Sequence, residues 1–205
     1  MTGPDGLDRR NEWNHEAEGD RGGADFPRVI EALRLLQDRI TGAAAPAEVV
    51  TEAAESLEKL AAALEPYTVP EDRQIAGHRT DLAGRGQAMA PVVHVEEWDE
   101  RHVLGHVTFG RFYLGGNGAV HGGAIPLVFD EVMGRLANTG RARSRTAYLH
   151  VNYRKITPVG RRLRVEARFD REEGRKRVLT GALLDGDTVT ADAEGLFVAL
   201  KPGQP

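Results

Sequence analysis

The sequence predicts an α+β fold: an antiparallel sheet around one apolar helix, with further helices ahead of it. Three patterns predict it. From residue 92 onward, apolar–polar alternation recurs in short runs separated by Gly- and Asp-containing turns, the period of half-buried strands. One helix-period run interrupts them, with Ile125, Val128, Phe129, Val132, Met133 and Leu136 at i, i+3, i+4, i+7, i+8 and i+11. Before any strand begins, residues 27–64 carry apolar positions at helical spacing. Strands that follow one another through short turns pair antiparallel, and the single helix has a wide apolar face to bury on them.

Residues 1–25 are rich in Gly and charge, have almost nothing to bury, and read as a disordered tail. Residues 26–65 read as a helical hairpin. Val29, Ile30, Leu33, Leu36 and Ile40 share one face, Val50, Ala53, Leu57, Leu60, Ala61 and Leu64 share another, and residues 41–46 separate them. Such faces call for packing on the main domain or a partner rather than for catalysis. Residues 66–87, with Pro66, Pro70, Gly77, Gly84 and Gly86, read as a linker. The main domain spans 88–201. Its strands are expected at 92–98, 102–109 (continuing towards Leu114), 146–155, 163–171, 177–184 and 188–200, with Asp185-Gly186-Asp187 as the last hairpin turn. The central helix runs to about Ala137, and Pro126 is tolerable in its first turn.

Composition excludes several classes. With 205 residues, 40% of them hydrophobic, the chain can bury a sizeable core, and a formal net charge of −4 argues against a nucleic-acid binder. No cysteine is present, so disulfides, thiolate metal sites and Cys nucleophiles are out. No apolar run reaches the length of a membrane span, and the polar N-terminus lacks the apolar stretch of a signal peptide, so a cytoplasmic protein is expected. Ser56 and Ser144 are the only serines, and neither lies in a Gly-x-Ser-x-Gly elbow. Gly116-Asn117-Gly118 begins like a dinucleotide loop, but His121 takes the third glycine position and no βαβ unit surrounds it. His102 and His106 stand four apart in a strand-like stretch without a third ligand and read as ordinary strand histidines. Neither a metal nor a cofactor is expected.

What survives is His121-Gly122-Gly123 with Asp130 nine residues after the His. Two glycines at a helix start leave backbone N–H groups bare at the positive end of the helix dipole, an anion or oxyanion site. On spacing alone, a tight helix entry and a solvated Asp130 beside Glu131 explain the pattern equally well. Three details favour chemistry: Asp130 lies on a helix otherwise suited to burial, His121 immediately precedes the bare N–H groups, and no competing nucleophile exists elsewhere. Gly122 and Asp130 are eight residues apart, roughly 12 Å along a helix. Attack on a carbonyl held by an oxyanion hole needs atoms about 3 Å apart. The simplest way for both to serve one reacting group is across a two-fold axis, so the active unit is expected to be a dimer.

Three segments carry a family resemblance: His121-Gly122-Gly123 with Asp130; residues 146–158, from Thr146 through Asn152, Tyr153, Arg154 and Lys155 to Pro158; and Glu173-Gly174-Arg175-Lys176. In this order they resemble the hotdog-fold acyl-CoA thioesterases, above all the phenylacetate-pathway type and its mammalian mitochondrial long-chain relatives. The likeness covers about residues 88–200. It implies a sheet wrapped around the central helix, a homodimer or a pair of dimers, active sites at the subunit interface, and acyl-CoA as substrate.

The resemblance also implies roles. Gly122 matches the glycine whose N–H polarises the thioester carbonyl, and His121 the histidine that orients this turn. Asp130 matches the carboxylate, from the opposite subunit, that serves as general base or nucleophile, and Thr146 the hydroxyl that holds the attacking water. Asn152, Arg154, Arg175 and Lys176 match positions that contact the CoA moiety, which suits guanidinium and ammonium chemistry toward phosphates. One departure stands out. Some relatives carry Asn six residues before the His, where this chain has Gly115, and Asn117 is only four before. Two alternatives remain beside hydrolysis: a hotdog module that binds acyl-CoA without turnover, against which Asp130 and Thr146 together argue, and a dehydratase, which normally shows a different Asp/His arrangement.

Overall fold

The computed structural model describes residues 21–201 and Gly203; the tail expected over 1–25 lies almost wholly outside the described residues. In chain order the elements are α1 (Phe26–Gly42), α2 (Ala47–Leu64), β1 (Val93–Trp98), β2 (His102–Thr108), β3 (Leu114–Gly116), β4 (Ala119–Val120), α3 (Ala124–Asn138), β5 (Ser144–Tyr153), β6 (Arg162–Glu173), β7 (Lys176–Asp185) and β8 (Thr188–Ala199). Six strands form one sheet in the order β1-β2-β6-β7-β8-β5, every pair antiparallel, and β3 and β4 form a separate small hairpin.

The sheet curls around α3. All six positions of the helix-period run are buried, joined by Ala124 and Ala137. They meet Val103 and Val107 of β2, Leu163, Val165, Ala167 and Phe169 of β6, Leu179 and Leu183 of β7, and Phe197 of β8. Each such side chain contributes about 1.5–3 kcal/mol through burial. The sheet admits the helix where it has no side chain: a Cβ at Gly181 would stand 3.0 Å from the Phe129 ring. The helix C-terminus is held by Arg177, only 4% exposed, whose guanidinium donates to the carbonyls of Ala137 and Ala142 and to Glu172. A cation at this end also suits the helix dipole.

The sheet strands lie within about two residues of expectation, and two of the differences have a physical reason. The strand expected over 146–155 is Ser144–Tyr153, because the N–H groups of Arg154 and Lys155 both turn to the Thr190 carbonyl and lead the chain away. The second strand does not continue to Leu114. A single 3-10 turn, Arg111–Tyr113, intervenes, and its Phe112 N–H donates to Asp38 Oδ1 of α1 at 2.9 Å.

That bond helps dock α1 on the domain. Arg34 adds a 2.6 Å bond to the Gln87 carbonyl. Helix α2 behaves differently: every one of its residues is exposed, so its apolar face finds no cover among the described residues. The stretch between α2 and β1 is itself tied down. Arg79 is buried and binds Asp81 through two nitrogens, and Arg85 binds Glu131 of α3 through two, at 2.9 and 2.7 Å. No helix among the described residues is long and apolar enough to cross a membrane.

Candidate active site

The turn at the head of α3 is built by the β3–β4 hairpin. Asn117 and Gly118, at φ 49° and 75°, form its two-residue loop between the paired Gly116 and Ala119, the backbone that Asn-Gly adopts most readily. The hairpin was not anticipated, although the Asn-Gly pair is its sequence signal. It is fixed on the β5–β6 connection: Val120 N–H donates to the Thr157 carbonyl, and Val159 N–H to the Gly118 carbonyl. His121 N–H donates to the Tyr113 carbonyl at 2.7 Å. The backbone of His121 thereby lies against Gly115, where a Cβ would come within 2.8 Å of the His121 Cα. In this chain the packing at position 115 therefore leaves no room for a side chain.

The turn's donors can be accounted for one by one. Gly123 N–H donates to His121 Nδ1 at 3.0 Å, and Ala124 N–H to the His121 carbonyl at 2.9 Å. Since Nδ1 accepts, the ring proton of a neutral His121 sits on Nε2. The Gly122 N–H has no acceptor among the described residues, while the Gly122 carbonyl accepts from the Tyr153 hydroxyl at 2.7 Å. His121, Gly122 and Gly123 are all exposed. One bare N–H on a fixed turn at a helix start is what an oxyanion site requires.

Asp130 lies two turns further along α3 and is exposed, unlike its buried neighbours Phe129 and Val128. Its Oδ1 accepts from Thr146 Oγ1 at 2.8 Å. This contact depends on a bulge. Thr146 pairs with Phe197 and Tyr148 with Leu196, which leaves Ala147 as the extra residue. Beyond it Leu149, Val151 and Tyr153 pair with Gly195, Ala193 and Ala191 on the helix side, while Tyr148, His150 and Asn152 face outward. Strict alternation would have sent Thr146 outward with them. The bulge returns it to the helix side, facing Asp130.

The four residues matched to CoA contacts fall into two groups. Asn152 and Arg154 both bind Asp192: the amide donates at 2.8 Å, and the guanidinium forms a close pair through Nε and a second bond at 3.3 Å. The Arg154 hydrogen bond, with that of Asn152, holds the Asp192 carboxyl below the ordinary range. Arg175 and Lys176 lie at the β6–β7 turn, and Arg175 donates to the Ala199 carbonyl. On β8, Asp192 and the Val198 that pairs with Lys176 are six residues apart, roughly 20 Å. No one phosphate group reaches both groups of a single chain.

His102 and His106 spend their Nδ1 atoms on Asp99 and Glu96, each at 2.9 Å. Among the described residues no three His, Asp or Glu side chains gather where a metal ion could sit.

The thioesterase superfamily profile matches residues 117–193, from the β3–β4 loop to β8. This region of the chain belongs to the thioesterase superfamily. Bovine acyl-coenzyme A thioesterase THEM4 is 31% identical over 106 residues, which are 51% of this chain and 44% of that protein. Its mouse counterpart is 32% identical over 90 residues, 43% and 39% respectively. The chain thus spans less than half the length of the curated relatives it matches. A crystal structure of a thioesterase superfamily protein superposes with a TM-score of 0.73 at 28% identity, covering 86% of this chain and 96% of that one. That match extends beyond the sheet domain and confirms the expected hotdog architecture with helices preceding the sheet. A Streptococcus mutans protein bound to acetyl CoA shares the fold, at 18% identity and a TM-score of 0.50 over 53% of this chain and 88% of its own.

Proposed function

We propose that this protein hydrolyses acyl-CoA thioesters to the free acid and CoA, as a homodimer that pairs Gly122 of one subunit with Asp130 of the other. One observation carries the reading: Asp130 is held by Thr146 on the same helix whose head presents the bare Gly122 N–H. The names of the curated relatives, acyl-coenzyme A thioesterases, support it.

Thr146 donates its only proton to Asp130 Oδ1, so its lone pairs remain to receive a water O–H, while Asp130 Oδ2 is left to receive a proton. The water oxygen attacks the thioester carbonyl carbon as its proton passes to Asp130. The carbonyl oxygen gains negative charge against the Gly122 N–H, the C–S bond breaks, and the proton moves from Asp130 to the departing thiolate sulfur. A thioester is already activated, so a base, a water and one dipole-backed donor suffice. Asn152 and Arg154 at one end of β5, and Arg175 and Lys176 at the β6–β7 turn, serve as contacts for the CoA moiety.

The test is release of free CoA thiol from a series of acyl-CoA chain lengths and an aromatic acyl-CoA, with wild type and Asp130→Asn side by side. Turnover lost in the variant supports the reading. Binding of acyl-CoA without turnover in the wild type overturns it in favour of a binding module.

A further inference from the structure

Two adjacent glycines make the turn before α3 accessible, and they also make it loose. Glycine loses more backbone freedom on ordering than any other residue. An oxyanion donor is useful only when it is already aimed before charge develops. Something other than the glycines must fix the turn.

We infer that Tyr153 is a positioning residue for the oxyanion turn: it holds the Gly122 carbonyl and thereby fixes the direction of the Gly122 N–H. The Gly122–Gly123 peptide is one rigid plane. Its carbonyl end accepts from the Tyr153 hydroxyl at 2.7 Å, and its N–H end donates to His121 Nδ1 at 3.0 Å. The preceding plane, between His121 and Gly122, is pinned at its carbonyl end by the Ala124 N–H at 2.9 Å. With both planes held, neither soft dihedral of Gly122 can turn without breaking a bond. The single unengaged polar group of the two planes is the Gly122 N–H.

Strand β5 delivers this hydroxyl by the same device that delivers Thr146. Positions 146 and 153 have opposite parity and would face opposite sides of a regular strand. The extra residue at Ala147 puts both on the helix side, Thr146 against Asp130 and Tyr153 against the Gly122 carbonyl. One strand thus supports an Asp130 half and a Gly122 half, which in the proposed dimer belong to two different composite centres.

This inference rests on the hydrolase reading, and Tyr153→Phe in the full chain tests it, because it removes the hydroxyl and keeps the ring. The expected result is a kcat lowered about tenfold, the factor one net hydrogen bond carries, with KM and melting temperature essentially unchanged. Amide hydrogen exchange at Gly123 should quicken, because its peptide plane loses one of its two anchors. A lower melting temperature with wild-type kcat well below it would mark a merely structural contact and overturn the assignment. So would wild-type kcat with any exchange result. If the wild type itself turns over no acyl-CoA, the hydrolase reading fails on its own. Exchange then decides the clamp: faster at Gly123 in the variant upholds it, unchanged overturns it.

Discussion

Thr146 on β5 donates to Asp130 on α3 at 2.8 Å, joining two residues sixteen positions apart through a one-residue bulge at Ala147. The bond ties the sheet to the one carboxylate of α3 that lies exposed in line with the helix head. It leaves a hydroxyl oxygen and a carboxylate oxygen side by side, where the proposed reaction seats its water.

Asp130→Asn should fold and assemble like the wild type, since the amide oxygen can still accept from Thr146. Without a base, acyl-CoA hydrolysis should drop by about 10²–10⁴-fold. Steady-state release of CoA thiol measures it, and full activity in the variant removes Asp130 from the chemistry.

Thr146→Val replaces the hydroxyl with a methyl of nearly equal size and should lower kcat roughly tenfold or more. Thr146→Ser keeps the donor and should retain most of the activity. Equal rates for the two variants would remove the hydroxyl from the chemistry.

Because Gly122 and Asp130 lie far apart along one helix, a Gly122→Pro homodimer, which lacks the N–H, and an Asp130→Asn homodimer should both be poor catalysts. In a mixed population with random pairing, half the dimers carry one intact composite site, so about a quarter of wild-type activity should return. No recovery in verified heterodimers places the whole site within one chain.

Arg85 sits at φ 56°, a conformation costly for any residue but glycine, and holds Glu131, only 15% exposed, with two bonds. Arg85→Ala should destabilise the fold by about 1 kcal/mol or more, because the half-buried carboxylate loses its bidentate partner. Thermal unfolding should show a melting temperature lower by about 2–4 °C per kcal/mol for a chain of this size. An unchanged value would show that the ion pair contributes nothing net, since alanine carries the same left-handed backbone cost.

The Arg79 hydrogen bond holds the Asp81 carboxyl below its ordinary value of 3.8. A carboxylate with a depressed folded-state pKa adds stability that is complete above the unfolded value and vanishes as pH falls through the folded one. Asp81→Asn should therefore lower stability at neutral pH and flatten the loss seen below about pH 4. Parallel acid limbs in urea titrations of the two proteins would exclude this pair as a contributor.

By itself the sequence determined what depends on local periodicity. Six of the eight buried positions of α3, the sheet strands to within about two residues, and the Gly186 turn were legible because burial on one face repeats at 3.6 or 2 residues whatever the partner is. The His-Gly-Gly turn at a helix start and the Asp130 eight residues after Gly122 were legible as a motif. Tertiary structure decided the rest. Thr146 reaches Asp130 only because Ala147 is bulged, and an extra residue in a strand is defined by its partner's register, which no local pattern records. Tyr153 looks like one more strand aromatic until the same bulge carries it to Gly122. Arg154 and Arg175 look alike as basic residues, yet one is bound to the Asp192 carboxylate and the other to a backbone carbonyl, roughly 20 Å away along β8. Helix α2 is the converse case: its apolar period specifies a helix, but what a helix face packs against is a long-range choice, and among the described residues that face stays exposed.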